Sequence, residues 1–319
     1  MHPPASLCIM KWFELTDTGL ISAEGADAAT FLQGQLTQDV AGMAPGGLRL
    51  AGYCNPKGRL FATFEVARLA ADRFVFVLPR NNTAFLAKRL SMFVLRAKAK
   101  LADESAAWAL FGLQFSGAAP EQVAGLKVPP AGSASATDAG LAISRTVGEQ
   151  TQITLAVPAT AAEGMRAALA AQFGAASALA QWHAARIAAA QAGVDERTRE
   201  TFVPQMINFE LVGGVNFKKG CYPGQEVVAR SQYLGKLKRR MGLARVAAGA
   251  EIAPLADVLA EGAAEPVGAV VEAASTADGS WLVLFEAPLA AQEAGNLKLA
   301  DGRGLSLQPL PYEIIDITA

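Results

Sequence analysis

The chain has 319 residues, 52% hydrophobic and 18% charged, with a formal net charge of −1. That length supports two or three domains, the composition excludes a disordered chain, and the near-neutral balance argues against binding nucleic acid by overall charge. Apolar runs fall short of the roughly eighteen residues a spanning helix needs. The first ten residues, in which Met10 is an alternative start, lack a basic segment leading into an apolar one. A cytoplasmic monomer without membrane attachment is expected.

In chain order, residues 15–21 form a short apolar stretch, and a helix begins near Gly25-Ala26-Asp27, with Ala28, Phe31, Leu32 and Leu36 near helical spacing. Residues 59–69 and 73–78 read as paired strands turning at Ala71-Asp72, Asn81 or Asn82 caps a helix carrying Phe85, Leu86, Leu90 and Phe93, and residues 94–101 read as a strand. Further on come a strand at 108–115, a short helix at 120–124, a small-residue loop at 129–140, and a hairpin of 141–147 with 152–157 around Gly148. Alanine-rich helices follow at 159–173 and 177–192. Residues 195–217 are irregular, Val227 onward has strand character, and short strands at 243–246, 267–271, 281–285 and 305–307 suggest a small antiparallel barrel or sandwich. The fold class is α+β.

The most distinctive segment is Lys218-Lys219-Gly220-Cys221-Tyr222-Pro223-Gly224-Gln225-Glu226. Pro presets φ and Gly accepts a positive φ, so Tyr222 to Gln225 suits a type II turn. A thiol shown on a turn beside cations has a raised thiolate fraction, and Lys218 or Lys219 can supply that effect or attract an anion. A packed thiol is the alternative for Cys221, and Cys54 in an apolar strand is read that way. Arg230, Lys236, Lys238, Arg239 and Arg240 follow closely, either as an anion site or as a solvated hairpin tip. His183 is read as a helix-surface residue. Three cysteines and two histidines without CxxC spacing give no ligand quartet, so no resident metal is expected and Cys221 could ligate iron only transiently with a partner's help. GxGxxG, GxxxxGK[ST], HExxH and GxSxG are all missing.

Phe202-Val203-Pro204-Gln205, Gly213-Gly214-Val215-Asn216-Phe217, the 218–226 block and Val228-Ala229-Arg230 together resemble the signature of YgfZ-type folate-binding proteins, relatives of the glycine-cleavage aminomethyltransferase. Residues 31–40, Asn55-Pro56-Lys57-Gly58-Arg59 and Pro309-Leu310-Pro311-Tyr312 resemble further motifs of that family. The resemblance implies two intertwined α+β (ferredoxin-like) units, 1–105 and 106–240, and a C-terminal β-barrel, 241–319, around a central folate channel. It implies a tetrahydrofolate-binding accessory role in iron–sulfur cluster assembly or repair, serving client enzymes such as those that methylthiolate tRNA.

The implied reactive centre is Cys221 with Lys218, at the mouth of the folate cavity. The candidate folate contacts are Trp182, for which core packing is the alternative, Tyr222, Gln225, for which loop support is the alternative, Glu226, Arg230, for which pairing with Glu226 is the alternative, and Asn208. Ala62-Thr63 stand where the aminomethyltransferase carries an Asp pair, so aminomethyl transfer is not expected. The helix segment Arg186-Ile187-Ala188-Ala189-Ala190 lacks the pterin-anchoring Glu, leaving Glu226 or a backbone carbonyl as acceptor. Of two folate-associated tryptophans, one matches Trp182 and the other falls at Thr18. The competing readings are a folate-dependent one-carbon transferase and a non-catalytic scaffold docking through the barrel or Lys238, Arg239 and Arg240.

Overall fold

The computed structural model describes residues 10–117, 120–233, 238–263 and 265–314. The N-terminal region runs β1 (Met10–Glu14), β2 (Thr18–Glu24), α1 (Ala28–Gln33), β3 (Leu48–Cys54), β4 (Leu60–Ala70), β5 (Arg73–Pro79), α2 (Arg80–Ser91) and β6 (Lys100–Asp103). The middle region adds β7 (Trp108–Phe115), β8 (Gln122–Val123), β9 (Leu126–Lys127), β10 (Ser133–Thr137), β11 (Gly140–Val147), β12 (Gln150–Pro158), α3 (Ala162–Phe173), α4 (Leu179–Ala188) and α5 (Gln225–Tyr233). The C-terminal region holds β13 (Arg239–Val246), β14 (Asp257–Ala260), β15 (Gly268–Ser275), β16 (Trp281–Pro288), α6 (Leu289–Ala294), β17 (Leu297–Leu299) and β18 (Ser306–Gln308).

Three large antiparallel sheets result, ordered β3-β4-β5-β2-β6, β1-β7-β12-β11-β10 and β17-β14-β15-β16-β13-β18, beside a two-stranded β8-β9 hairpin. The first two pack face to face. Alternation along β4 sends Phe64 and Val66 towards α1 and α2, where Leu32, Leu86 and Leu90 are buried, and Ala67 towards the second sheet. On that inner side Leu20, Val75 and Val77 meet Phe13, Leu110 and Ile143. The outer face of the second sheet buries Phe111, Leu113 and Ile153 against Met165 and Leu169 of α3. Helix α4 joins all three sheets: Trp182 lies in the core between the first two, and Ile187 lies with Val271 and Leu284 of the third.

The structure is a mixed α/β fold whose third sheet is curled rather than closed. Its end strands β17 and β18 are not paired to each other, although Leu305 N–H donates to the Leu297 carbonyl at 2.8 Å between them. Strand β1 pairs with β7 in the second sheet, Met10 opposite Phe115, so the first 105 residues contribute to both sheets.

Several local expectations are corrected. Helix α2 starts at Arg80 with Pro79 at its N-cap, and Asn82 is instead buried, donating to the Phe61 carbonyl at 3.0 Å and accepting from Arg199. Residues 94–97 form a turn, closed by Ala97 N–H to the Val94 carbonyl at 2.8 Å, so only Lys100–Asp103 is extended. The expected helix at 120–124 is part of the small β8-β9 hairpin, and the loop at 129–140 contains β10. Val227 onward is helical, because the Pro223-Gly224 turn delivers the chain into α5 with Glu226 in its first turn and Arg230 in its last, each favourable to the helix dipole.

Candidate functional site: a thiol loop and a cavity between the sheets

The cysteine loop is clasped by the two N-terminal motifs. Gln225 N–H donates to the Tyr222 carbonyl at 3.2 Å and Gly224 has φ of 79°, which gives the turn its sequence requires. A Cβ at Gly224 would lie 2.4 Å from the Asn55 carbonyl oxygen, so this turn sits directly on the Asn55–Gly58 turn. Asn55 Oδ1 shapes that second turn by accepting from Lys57 N–H at 2.9 Å and Arg59 N–H at 3.0 Å. On the other side Thr37 Oγ1 donates to the Gly214 carbonyl and Gln38 Nε2 to the Gly213 carbonyl, each at 2.6 Å.

Cys221 is exposed at the end of this clasp, whereas Cys54 is fully buried and its thiol pKa is pushed up by burial. Lys219, not Lys218, is built into the loop. Its Nζ donates to the carbonyls of Gln33 and of Leu36, the latter at 2.6 Å, and lies 5.0 Å from the Tyr222 ring centroid. Burial lowers its pKa to about 8, against the raising influence of Asp39 and Cys221. Lys218 is exposed, and only its backbone N–H is engaged, by Asn216 Oδ1 at 2.8 Å. Tyr222 is buried, with its hydroxyl pKa pushed up by burial, so it anchors the loop.

The remaining expected residues disperse. Gln225 opens α5, while Glu226 and Arg230 are exposed on it and form no ion pair with each other among the described residues. Asn208 is buried at a left-handed φ of 53°, and its amide donates to the Met241 carbonyl at 2.9 Å and to Tyr312 Oη at 3.3 Å. It therefore locks the segment before the loop onto the third sheet and is not free for a ligand. The basic cluster is also divided. Lys236 lies outside the described residues, Arg239 pairs with Glu286, and Arg240 is buried in an ion pair with Glu210 while donating to the Gln205 carbonyl at 3.0 Å. Burial raises the Glu210 pKa, and the Arg240 charge only partly offsets it.

A cavity of about 260 Å³ lies where the first two sheets, α4 and the third sheet meet. Cys221 is not among the residues that line it, so the expected placement of the thiol at its mouth is not seen; Cys54, Leu60, Phe202 and Val228 form a packed cluster beneath the loop. The positions singled out by the family comparison do converge there: Trp182, which keeps a folate-associated tryptophan, and Thr18, Thr63 and Arg186, which replace expected family residues, all line the cavity. Ala62 points the other way, into the first core. Thr63 Oγ1 accepts from Val194 N–H at 2.9 Å. Trp182 is 4% exposed, and a side chain at Gly112 would strike its ring at 2.8 Å, which explains the glycine in mid-strand.

Ion pairs dominate the cavity wall. Arg145 pairs with Glu65, donates to Gln152 Oε1 at 2.8 Å, and has its guanidinium carbon 5.7 Å from the Trp182 ring centroid. Arg186 pairs with Glu272 of β15, and Glu272 Oε2 also accepts from Gly193 N–H at 2.9 Å. His183 Nε2 lies 2.8 Å from Asp17 Oδ2, so His183 is a cavity residue rather than a plain surface histidine. Burial raises the Asp17 carboxyl pKa, but its hydrogen bond to His183 and that ring's charge together bring it below the ordinary value. Two buried wall atoms have no hydrogen-bond partner, Arg145 Nε and His183 Nδ1.

Glu65, Arg145 and Glu272 escaped the sequence reading. Their available signal is a charge embedded in an apolar strand, as in Phe64-Glu65-Val66 and Val271-Glu272. The described residues hold no cluster of three or more His, Cys, Asp or Glu able to bind a metal. The wall offers an indole face, paired carboxylates and guanidinium groups, but no nucleophilic thiol.

Comparison with known proteins fits this geometry. Residues 10–123 match the GCVT N-terminal domain. The fold is similar to the glycine cleavage system aminomethyltransferase T of Bartonella henselae, with a TM-score of 0.77 at 17% identity over 95% of this chain and 86% of that one. Among curated proteins, the tRNA-modifying protein YgfZ of Enterobacter sp. (strain 638) is 29% identical over 94% of this chain and 92% of its own length. That of Edwardsiella ictaluri is 31% identical over 98% of this chain and 93% of its own length. Sharing nearly its whole length with these proteins, the chain belongs to the YgfZ family.

Proposed function

We propose that the chain binds a reduced folate in the cavity between the sheets and serves, through Cys221, as an accessory protein for iron–sulfur cluster assembly or repair that supports tRNA-modifying enzymes. The convergence of Thr18, Thr63, Trp182 and Arg186 on one cavity carries the reading. A pterin is planar and rich in hydrogen-bonding groups. Trp182 would stack on it, Glu65 and Glu272 would accept its N–H groups, and the unpartnered Arg145 Nε and His183 Nδ1 would meet its acceptors. Arg197, also in the wall, suits the carboxylates of a folate tail. Bound there, a reduced folate supplies an amine able to accept a one-carbon unit. The printed name of the curated relatives, tRNA-modifying protein, supports the link to tRNA modification. Ala62 and Thr63, neither of them a carboxylate, stand where the aminomethyltransferase carries its Asp pair, which argues against aminomethyl transfer.

The remaining elements of the proposal are a monomer working in the cytoplasm, no resident metal, transient iron contact at Cys221, and an iron–sulfur client protein as partner. Among the described residues no helix is long and apolar enough to cross a membrane.

Calorimetry and tryptophan quenching with tetrahydrofolate test the cavity. Binding should be retained in Cys221→Ala and weakened at least about tenfold in Trp182→Phe; no binding heat to the wild type refutes the reading. Complementation of a deletion strain, read by tRNA methylthiolation, tests the thiol. Cys221→Ala should fail to restore the product, and full restoration removes Cys221 from the mechanism.

A further inference from the structure

Helix α2 ends in a patch that neither the thiol loop nor the cavity uses. Of the seven large hydrophobic side chains exposed among the described residues, three fall within four positions: Met92 at 60%, Phe93 at 43% and Leu95 at 88% exposure. Leu95 has φ of 47°, a left-handed conformation that a branched aliphatic residue adopts only at a cost and that glycine or asparagine would adopt freely. The most exposed large apolar side chain among the described residues thus sits on a strained backbone, a combination that folding alone does not favour. From Arg80 to Ala102 the sequence carries six cations and no carboxylate, in a protein of net charge −1. Lys88, Arg96, Lys98 and Lys100 are exposed and make no ion pair among the described residues, and Arg89 stacks over the Phe93 ring at 5.5 Å.

We infer that Met92, Phe93 and Leu95, within the rim formed by Lys88, Arg96, Lys98 and Lys100, are a docking site for a partner protein whose own surface presents an apolar pocket bordered by acidic side chains. Charge complementarity selects an acidic occupant. The apolar group is confined to one turn, because Leu86, Ala87 and Leu90 of the same helix are buried in the core. That spot has the size of an interface hot spot, not the long apolar face a lipid surface requires. Its sole aromatic ring is already stacked on Arg89, and its aliphatic members suit a pocket better than they suit bases. This site is independent of the folate reading and stands without it.

The test places a benzophenone photocrosslinker at Met92 of the full-length chain in living cells and identifies adducts by mass spectrometry. The expected result is one dominant protein adduct whose crosslinked segment is flanked by Asp or Glu. Its yield should fall at least about tenfold in both Leu95→Gly and the Arg96→Glu/Lys98→Glu double variant. Leu95→Gly should melt no lower than the wild type, because it relieves the left-handed strain, so its loss of adduct reports binding and not misfolding. Adducts mainly with RNA, lipid or a second copy of this chain, no adduct above the unirradiated control, or yields unchanged by either variant overturn the proposal.

Discussion

The thiol loop and the cavity use polar groups in opposite ways. Around Cys221 the fixing contacts run to backbone carbonyls, through Lys219, Thr37, Gln38 and the glycine turns, and the reactive atom is left facing outward. Around the cavity the side chains fix one another, Arg145 with Glu65, Arg186 with Glu272 and His183 with Asp17. A ligand entering the cavity therefore competes with existing pairs, while a partner approaching the loop meets an unengaged thiol. The exposed thiol and the charge-lined cavity thus occupy different places, which the expectation of one shared site had merged.

Four experiments can break or sharpen that contrast. The largest effect is expected where the segment before the loop is tied to the third sheet. Arg240→Ala leaves Glu210 buried without its partner and should cost about 3–5 kcal/mol in urea unfolding. Arg239→Ala also strands a buried carboxylate, Glu286, but its own guanidinium is part-exposed and water can replace it, so it should cost less, about 1–3 kcal/mol. Equal losses would deny Arg240 its special place. Next, in a Cys8→Ser background, Ellman's reagent should label Cys221 at least about 100-fold faster than Cys54, which reacts as a thiolate only when the surrounding core opens. Comparable rates would erase the distinction between displayed and packed thiols.

A smaller effect is expected at the glycine turns. Gly224→Ala combines a positive φ with a close backbone approach and should destabilise by about 1–3 kcal/mol. Gly213→Ala has a similar φ but open space around it, so it should cost less, and a larger cost there would discount the contact with Asn55. The smallest effect concerns Lys219. Its pKa falls from 10.5 to about 8 on folding, so between those values the unfolded chain binds more protons and this residue's contribution to stability rises with pH. Thermal melts from pH 7 to pH 10.5 should show a shallower rise in Lys219→Met; an identical slope would mean the amine is solvated.

The loop was legible because its determinants are contiguous: Pro223 and Gly224 specify a turn whatever surrounds them, and Cys221 is displayed by it. The choice between Lys218 and Lys219 was not, since it depends on which side chain meets the carbonyls at the end of α1. The paired strands of the first sheet and the hairpin at Gly148 followed from period-2 patterning and turn residues. Helix α5 was misread because Val227-Val228 suggests a strand, while the preceding turn and the burial of Val228 decide for a helix. The cavity was legible only as scattered matches to, and departures from, a family pattern. Its ion pairs join elements far apart in the chain, β11 to β4 and α4 to β15, and spacing along the chain does not encode such meetings.

The placement of β1 has a consequence for how the nascent chain matures. Met10 must wait for Phe115, 105 residues later, before its backbone finds a partner. At about 5–20 residues per second, translation leaves that strand single for about 5–20 seconds, longer than many small domains need to fold. Strand β7 in turn depends on the waiting β1 to cover one edge: without β1, the segment Trp-Ala-Leu-Phe-Gly-Leu-Gln-Phe would present bare amides and apolar side chains as a template for its neighbours. Trimming the chain past Glu14 should therefore show itself first as precipitation during expression, before any loss of thiol or cavity chemistry.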